Sequence, residues 1–301
     1  MLGRAGTKRG KYRMKQFMTS NANGTSLISL IKTPVHLAKE YLHRRPDPHY
    51  RPNFVKGSDE ERARAIIDTL RREGIVLLPA YFKQPLLGRL QDGFAKAIEG
   101  QVDKYNPNSL LNNDILLVDS AFYDAALDDF LLEIIGGYYQ KPFALALANA
   151  MRLMPSPPLR AASFQWHHDT RGRQVHLMVL LSEVTSTGQR MTYLRQSQNR
   201  YYSYARSKGE GSRFELDIAN EPGLKHRIVD VVGPPGTVAI FDANGLHSGN
   251  RNENEIRDAL TFCYVTWRHF KKVKARRADV AALPAAKREV MHFNPNLHLQ
   301  D

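Results

Sequence analysis

Apolar positions follow a helical period through much of the first half of this chain and break into short, turn-bounded runs in the second. Ala121 to Ile135 carries Phe122, Ala125, Leu127, Phe130, Leu131 and Ile134 at roughly helical spacing, which predicts a helix with a buried stripe. Gln84 to Ile98 predicts another. Ser58-Asp59-Glu60-Glu61 has the form of a capping box, with the Ser58 hydroxyl available to the first free amides and Glu61 able to reach back. A helix is therefore expected from Ser58 to about Arg72. From Phe143 onward, strand-like runs are separated by Gly, Pro and polar turns, as a two-sheet jelly roll requires. Helices before and strands after predict an α+β chain with a double-stranded β-helix core and N-terminal flanking helices. The stripes are read as core faces, not cofactor boxes.

The N-terminal region departs from this pattern. Arg4, Lys8, Arg9, Lys11, Arg13 and Lys15 stand in the opening stretch, and no acidic residue precedes Glu40. No long apolar core follows those charges, which excludes a secretory signal; an organellar transit peptide, an arm touching polyanions and a solvating tail all fit. Ser26 to Leu42 has an apolar rhythm broken by Pro34, and predicts a short amphipathic element lying on the domain or on a membrane. Pro46, Pro48 and Pro52 mark a linker. The expected division is 1–57 as a basic, partly disordered extension and linker, 58–268 as a single catalytic domain, and 269–301 as a basic C-terminal extension.

Lys and Arg total 43 against 30 Asp and Glu, a net charge of +13, so the surface field favours anionic partners. The run from His269 to Arg277, HFKKVKARR, adds to it. Neither basic run carries a nucleic-acid recognition motif, and interleaved aromatics are sparse in both. No apolar run approaches the roughly 18 residues of a membrane span, which leaves peripheral membrane contact open. The single cysteine, Cys263, excludes an intramolecular disulfide and fits a buried strand thiol in a reducing compartment. A cytoplasmic location is expected.

Candidate chemistry centres on Phe164 to Asp169, FQWHHD, and on Gly236 to Gly249, GTVAIFDANGLHSG. In an extended segment, side chains at i and i+2 point the same way, so His167 and Asp169 offer an imidazole and a carboxylate to one metal. The apolar run before His247 reads as a buried strand delivering a third ligand into a Gly-rich bend. Two histidines and one carboxylate leave coordination positions open, a geometry associated with non-haem Fe(II) oxygenases. His168 would point away from the ligands, into a supporting or solvent-facing role. His176 and Gln174 lie on the next apolar run, where a core histidine satisfied by a neighbour is the commoner outcome. Tyr201, Tyr202 and Tyr204 are read as packing.

Beyond these residues, LRREGIVLLPAYFKQPLLGRLQDGFAKAIEG (Leu70 to Gly100) and GPPGTVAIFDANGLHSGNRNENEIRDALTFCYV (Gly233 to Val265) resemble the opening and closing segments of the phytanoyl-CoA dioxygenase-like family of Fe(II)- and 2-oxoglutarate-dependent oxygenases. The resemblance covers about Ser58 to Trp267. It implies a cupin-like barrel in which His167, Asp169 and His247 hold catalytic Fe(II). It further implies 2-oxoglutarate as co-substrate with O2, and Arg257, two residues before an apolar strand, as the anchor of the far carboxylate. Arg251 ranks second for that role because it lies in the polar run Asn250 to Glu255. The family often has a Ser two residues after its distal His; here Gly249 is there, and Ser248, one earlier, stands as the co-substrate contact. Leu194 to Gln198 replaces the family's Pro-Gly-Ser-His segment, so the substrate does not carry over. The presence of Asp169 favours hydroxylation over halogenation, since related halogenases replace that ligand with a small residue.

The expected activity is oxidation of a small molecule, a lipid or a secondary metabolite, with release of succinate and CO2, and the surface charge suits an anionic one. The alternative is a catalytically silent jelly-roll binding or regulatory protein whose basic arms contact an anionic partner. A cupin-type metal enzyme needing no oxo acid is a further rival, separated by dependence on 2-oxoglutarate.

Overall fold

The computed structural model describes residues 27–104, 108–156, 165–169, 173–206, 212–214, 221–250, 255–266 and 271–301. The basic stretch Arg4 to Lys15, Phe164, Arg251 and His269 lie outside the described residues. Five helices precede or flank the first long strand: α1 (Leu27–Arg44), α2 (Ser58–Glu73), α3 (Leu86–Ile98), α4 (Ala121–Ala126) and α5 (Asp129–Tyr139). The strands are β1 (Ile75–Leu78), β2 (Ser109–Asn112), β3 (Ala144–Leu153), β4 (Trp166–His167), β5 (Gln174–Leu180), β6 (Met191–Leu194), β7 (Arg213–Phe214), β8 (Ile228–Val231), β9 (Val238–Asp242), β10 (His247–Gly249) and β11 (Arg257–Val265). The C-terminal part holds β12 (Val273–Arg276) and β13 (Leu297–Gln300), paired in parallel.

Two antiparallel sheets make up the centre. The larger runs β1-β9-β5-β11-β3-β2 and the smaller β7-β4-β10-β6-β8. Period-two alternation sorts the strands of the larger sheet into two faces. Leu260, Phe262 and Tyr264 of β11, with Val175, Leu177 and Val179 of β5, join the helices in the main apolar cluster. Met178 and Leu180 of β5 instead pack with Met191 and Tyr193 of β6 and Val231 of β8, the filling between the sheets. Each such fully buried Leu, Val or Phe contributes about 1.5–3 kcal/mol.

Three local expectations need correction. Ser58 does not cap α2: Gly57, at φ 67°, occupies the N-cap position without a side-chain bond, and Ser58 is the first helical residue. The amides of Glu60 and Glu61 bond instead to the Gly57 carbonyl. The single helix expected over Ala121 to Ile135 is two, broken at Leu127 and Asp128. There the Asp128 side chain accepts from the Leu131 amide at 3.0 Å and so starts α5 as its N-cap. The element at Ser26 to Leu42 is not broken at Pro34, since α1 runs continuously through it.

Asp128 also accepts from the Tyr81 hydroxyl at 2.7 Å. Asp128→Ala is expected to cost about 1–2 kcal/mol in urea denaturation, and Asp128→Asn much less, because Asn keeps a capping oxygen. Equal losses in both would contradict the capping role. Among the described residues, no helix is long and apolar enough to cross a membrane.

Candidate metal centre

The two expected ligand segments meet on the smaller sheet. His247 of β10 pairs directly with His167 of β4, and on its other side with Tyr193 of β6. The two imidazole rings stand 4.2 Å apart, centre to centre. Just beyond the end of β4, Asp169 is held by its amide, which donates to the Ala243 carbonyl at 2.8 Å. One ligand atom each from His167, Asp169 and His247 lies within 4.8 Å of the other two, a spacing that fits a single metal ion.

Second contacts select the metal-facing atoms. His167 Nδ1 lies 2.8 Å from the Gln165 carbonyl, and His247 Nδ1 lies 2.9 Å from the Gly245 carbonyl. A carbonyl accepts, so each Nδ1 carries the proton and each Nε2 lone pair is free to coordinate. Burial pushes the His247 pKa down to about 3, with the neighbouring His167 acting in the same direction, so the ring is neutral as a ligand must be. Burial alone would raise Asp169, but the fields of His176, His247 and His167 outweigh it and hold the carboxyl below its ordinary value. Two neutral imidazoles and one carboxylate form the donor set suited to a divalent iron with open positions.

His168 does not join the ligands. Its ring nitrogens lie 2.9 Å from the Asp169 carbonyl and 2.8 Å from the Arg206 carbonyl, and it stacks on Tyr202 with centroids 3.6 Å apart. Tyr202 thus packs, as expected, over the segment that carries His167 and Asp169. His176 lies nearer the chemistry than a core histidine would: its Nε2 is 3.3 Å from the second oxygen of Asp169. Its neighbour in register is Cys263, whose sulfur lies 3.3 Å from Gln174 Oε1 and whose pKa burial pushes up to about 12, so the thiol stays protonated. Asn149 lies two pairs along from Cys263 on the β3 side, opposite Thr261, and its buried Oδ1 has no hydrogen-bond partner among the described residues.

Arg257, buried at the start of β11, donates from Nη1 to the Gln189 carbonyl at 2.9 Å, which fixes the plane of the guanidinium. Residues 257, 259, 261 and 263 share one face of the strand, so Arg257 and Cys263 lie on the same side of the larger sheet. Ser248 is not brought to the ligands in this way. It alternates with His247, pairs with Thr192 and donates to the Gly249 carbonyl at 3.3 Å, which sets it on the opposite pleat.

The loop that presents His247 is fixed by a buried network that the residue pattern did not reveal. Asp242 is fully buried. Its Oδ2 accepts from the Tyr138 hydroxyl at 2.6 Å and from Arg173 Nε at 2.8 Å, and its Oδ1 accepts from the Asn244 amide at 2.9 Å. Asn244 in turn donates to the carbonyls of Gln198 at 2.5 Å and Arg200 at 3.0 Å. Tyr193 donates to the Asp242 carbonyl at 2.9 Å, and any Cβ at Gly245 would collide with that hydroxyl. The sequence signal was present in Asp242-Ala243-Asn244-Gly245, a turn-forming run beside a ligand, but its partners lie far away in the chain.

No family model matches the sequence, and no curated protein does. Among solved structures, HygX from Streptomyces hygroscopicus with nickel and 2-oxoglutarate bound is similar, with a TM-score of 0.56 and 18% identity, over 72% of this chain and 92% of that one. HygX with iron bound gives a TM-score of 0.52 and 16% identity, over 73% and 94%. SnoN, a non-heme alpha ketoglutarate dependent epimerase from nogalamycin biosynthesis, gives 0.55 and 15%, over 68% and 83%. At these identities the likeness establishes a shared fold.

Proposed function

We propose that this protein is a non-haem Fe(II)- and 2-oxoglutarate-dependent oxygenase that hydroxylates a small molecule on a jelly-roll barrel of the phytanoyl-CoA dioxygenase-like kind. The observation that carries this reading is the convergence of His167, Asp169 and His247 with both imidazoles held in the metal-binding tautomer. The antiparallel two-sheet order and the likeness to HygX and SnoN, one with nickel and 2-oxoglutarate bound and the other named for its dependence on that oxo acid, support it. When bound, iron with 2-oxoglutarate and O2 supplies a two-electron oxidation of substrate, with succinate and CO2 as co-products.

The chain's own groups have separable tasks. His167 and His247 offer neutral nitrogen, and Asp169 the one anionic donor. The His176 ring borders the second Asp169 oxygen and limits how the carboxylate can turn. Arg257 offers a planar fork to the far carboxylate of the oxo acid, a shape that Lys lacks. Its bond to the Gln189 carbonyl sets that fork before the ligand arrives. The net charge of +13 supports an anionic substrate.

The test is turnover of 2-oxoglutarate to succinate by the full chain with Fe(II) and O2. Arg257→Ala is expected to raise the 2-oxoglutarate needed for half-saturation by roughly 10- to 100-fold, the worth of a charge-assisted hydrogen-bonded pair. Its Fe(II) affinity should stay near wild type, and Arg257→Lys should recover part of the loss. Loss of metal from Arg257→Ala equal to that from Asp169→Ala would assign Arg257 a structural role only.

A further inference from the structure

Helix α1 has its two faces the wrong way round for a helix packed on a globular domain. The side turned to the protein is mostly polar, with the half-buried Leu37 its apolar member. Thr33 Oγ1 accepts from the Tyr204 amide at 3.3 Å, and the His36 ring meets Tyr204 edge-on at 6.0 Å. One turn further on, Glu40 and His43 are buried, with His43 Nε2 2.9 Å from the Thr266 hydroxyl. Lys141 donates to the His43 carbonyl at 2.7 Å, and Arg44 lies over the Tyr201 ring at 4.3 Å. Residues 33, 36, 40, 43 and 44 follow the helical period and define this inner face.

The opposite stripe, at 31, 35, 38 and 42, is Ile, Val, Ala and Leu. Ile31 is 65% exposed, Val35 55% and Leu42 60%, with Tyr41 beside them at 63%. Scattered exposed apolar residues are ordinary; a contiguous stripe on one helix face, backed by a polar face turned inward, marks a surface that something covers. Exposed Lys32 and Lys39 edge the stripe on one side, and exposed Arg45 follows the helix end. Glu40 is the helix's one acidic residue, and it faces the protein. The 26 residues before α1 add six Lys or Arg and no Asp or Glu.

Those charges decide between occupants. A second copy of α1, or the chain's own leading segment, would bring cation against cation. A surface of anionic lipid headgroups meets both the apolar stripe and its basic rim.

We propose that α1 docks this protein on an anionic membrane surface, with Ile31, Val35 and Leu42 inserted at the acyl boundary and Lys32, Lys39 and Arg45 among the headgroups. Helix and metal centre share a wall: α1 rests on Tyr201 and Tyr204, and Tyr202 between them stacks on His168, next to Asp169. The proposal does not depend on the oxygenase reading.

The experiment is co-sedimentation of the full chain with phosphatidylcholine vesicles, with and without about one-third phosphatidylserine. Binding is expected to the anionic vesicles, weakening with salt, and to be slight on phosphatidylcholine alone. Val35→Asp with Leu42→Asp should weaken it at least about tenfold at an unchanged melting temperature, because two apolar side chains lose their burial. Lys32→Glu with Lys39→Glu should weaken binding to the anionic vesicles by about tenfold or more. Should the Asp variant fail to fold, Ile31→Ser with Val35→Ser serves in its place. No binding of wild type to anionic vesicles at low salt would overturn the proposal. So would binding unchanged by the stripe substitutions, which would assign attraction to the basic leader alone. A dimer in sedimentation that those substitutions convert to monomer would make a second copy the occupant and overturn it equally.

Discussion

Asp169→Ala is expected to leave the protein folded and to weaken Fe(II) binding by more than about 100-fold. Substitutions that merely disturb the partners of a ligand cost about 10- to 100-fold in metal affinity, and loss of the ligand itself exceeds that. Asp169 is the one anionic donor of the cluster, and without it two neutral imidazoles face a divalent ion with no charge to balance it. The fold is spared because the segment is held by main chain: the Asp169 amide bonds to the Ala243 carbonyl, and the His168 amide bonds to the Ser212 carbonyl at 3.2 Å. Metal content after anaerobic reconstitution, read beside a thermal melt, separates the two effects. A folded Asp169→Ala protein that keeps iron at wild-type affinity would remove Asp169 from the ligand set.

Asp242→Ala should be the most destabilising single change near the site, by about 3–5 kcal/mol, the cost of removing one partner from a buried ion pair. Arg173 lies 2.8 Å from the Asp242 carboxylate, and the Tyr138 hydroxyl gives its hydrogen bond to the same oxygen. Removing the carboxylate leaves a largely buried guanidinium and a buried phenol without their acceptor. For a domain of this size the melting temperature should fall by roughly 10 °C. Metal affinity should fall as well, because Asn244, Gly245 and His247 lose the group that fixes their loop. Asp242→Asn keeps an acceptor for Tyr138 but not the charge facing Arg173, and should lie between. A melting temperature within about 2 °C of wild type for the Ala variant would contradict the network's role in holding the loop.

How much of this was legible in the sequence depends on how local its cause is. The alternation that sets His167 and Asp169 on one side is a two-residue property, and the segment does bring both to one cluster. The apolar run Val238 to Phe241 forms a strand because four consecutive buried positions suit a place between two neighbours, and β9 has β1 and β5 on either side. The pairing of His247 with His167 spans eighty residues and needs the sheet itself. The same holds for Asp242, whose partners Tyr138 and Arg173 come from a helix and from the segment before β5.

Some local signals misled because a competing local cause was stronger. Gly57, at positive φ, takes the N-cap position ahead of Ser58, and the Asp128 side chain captures a helix amide in the middle of an apolar stripe. At α1 the rhythm of apolar residues was visible, but which side faces the protein was not. A stripe is usually buried, and here the polar side is held by Tyr204, Thr266 and Lys141, all remote in sequence.

The central claim is that one bound iron and one 2-oxoglutarate share the His167, Asp169 and His247 site. Anaerobic titration of metal-free protein with Fe(II) and then 2-oxoglutarate, followed in the visible range, tests it most directly. The predicted result is the weak charge-transfer band of an iron-bound 2-oxo acid, saturating at one per chain, absent in Asp169→Ala, and displaced to higher 2-oxoglutarate in Arg257→Ala. Folded wild-type protein that binds Fe(II) yet shows no band at saturating 2-oxoglutarate would contradict the account.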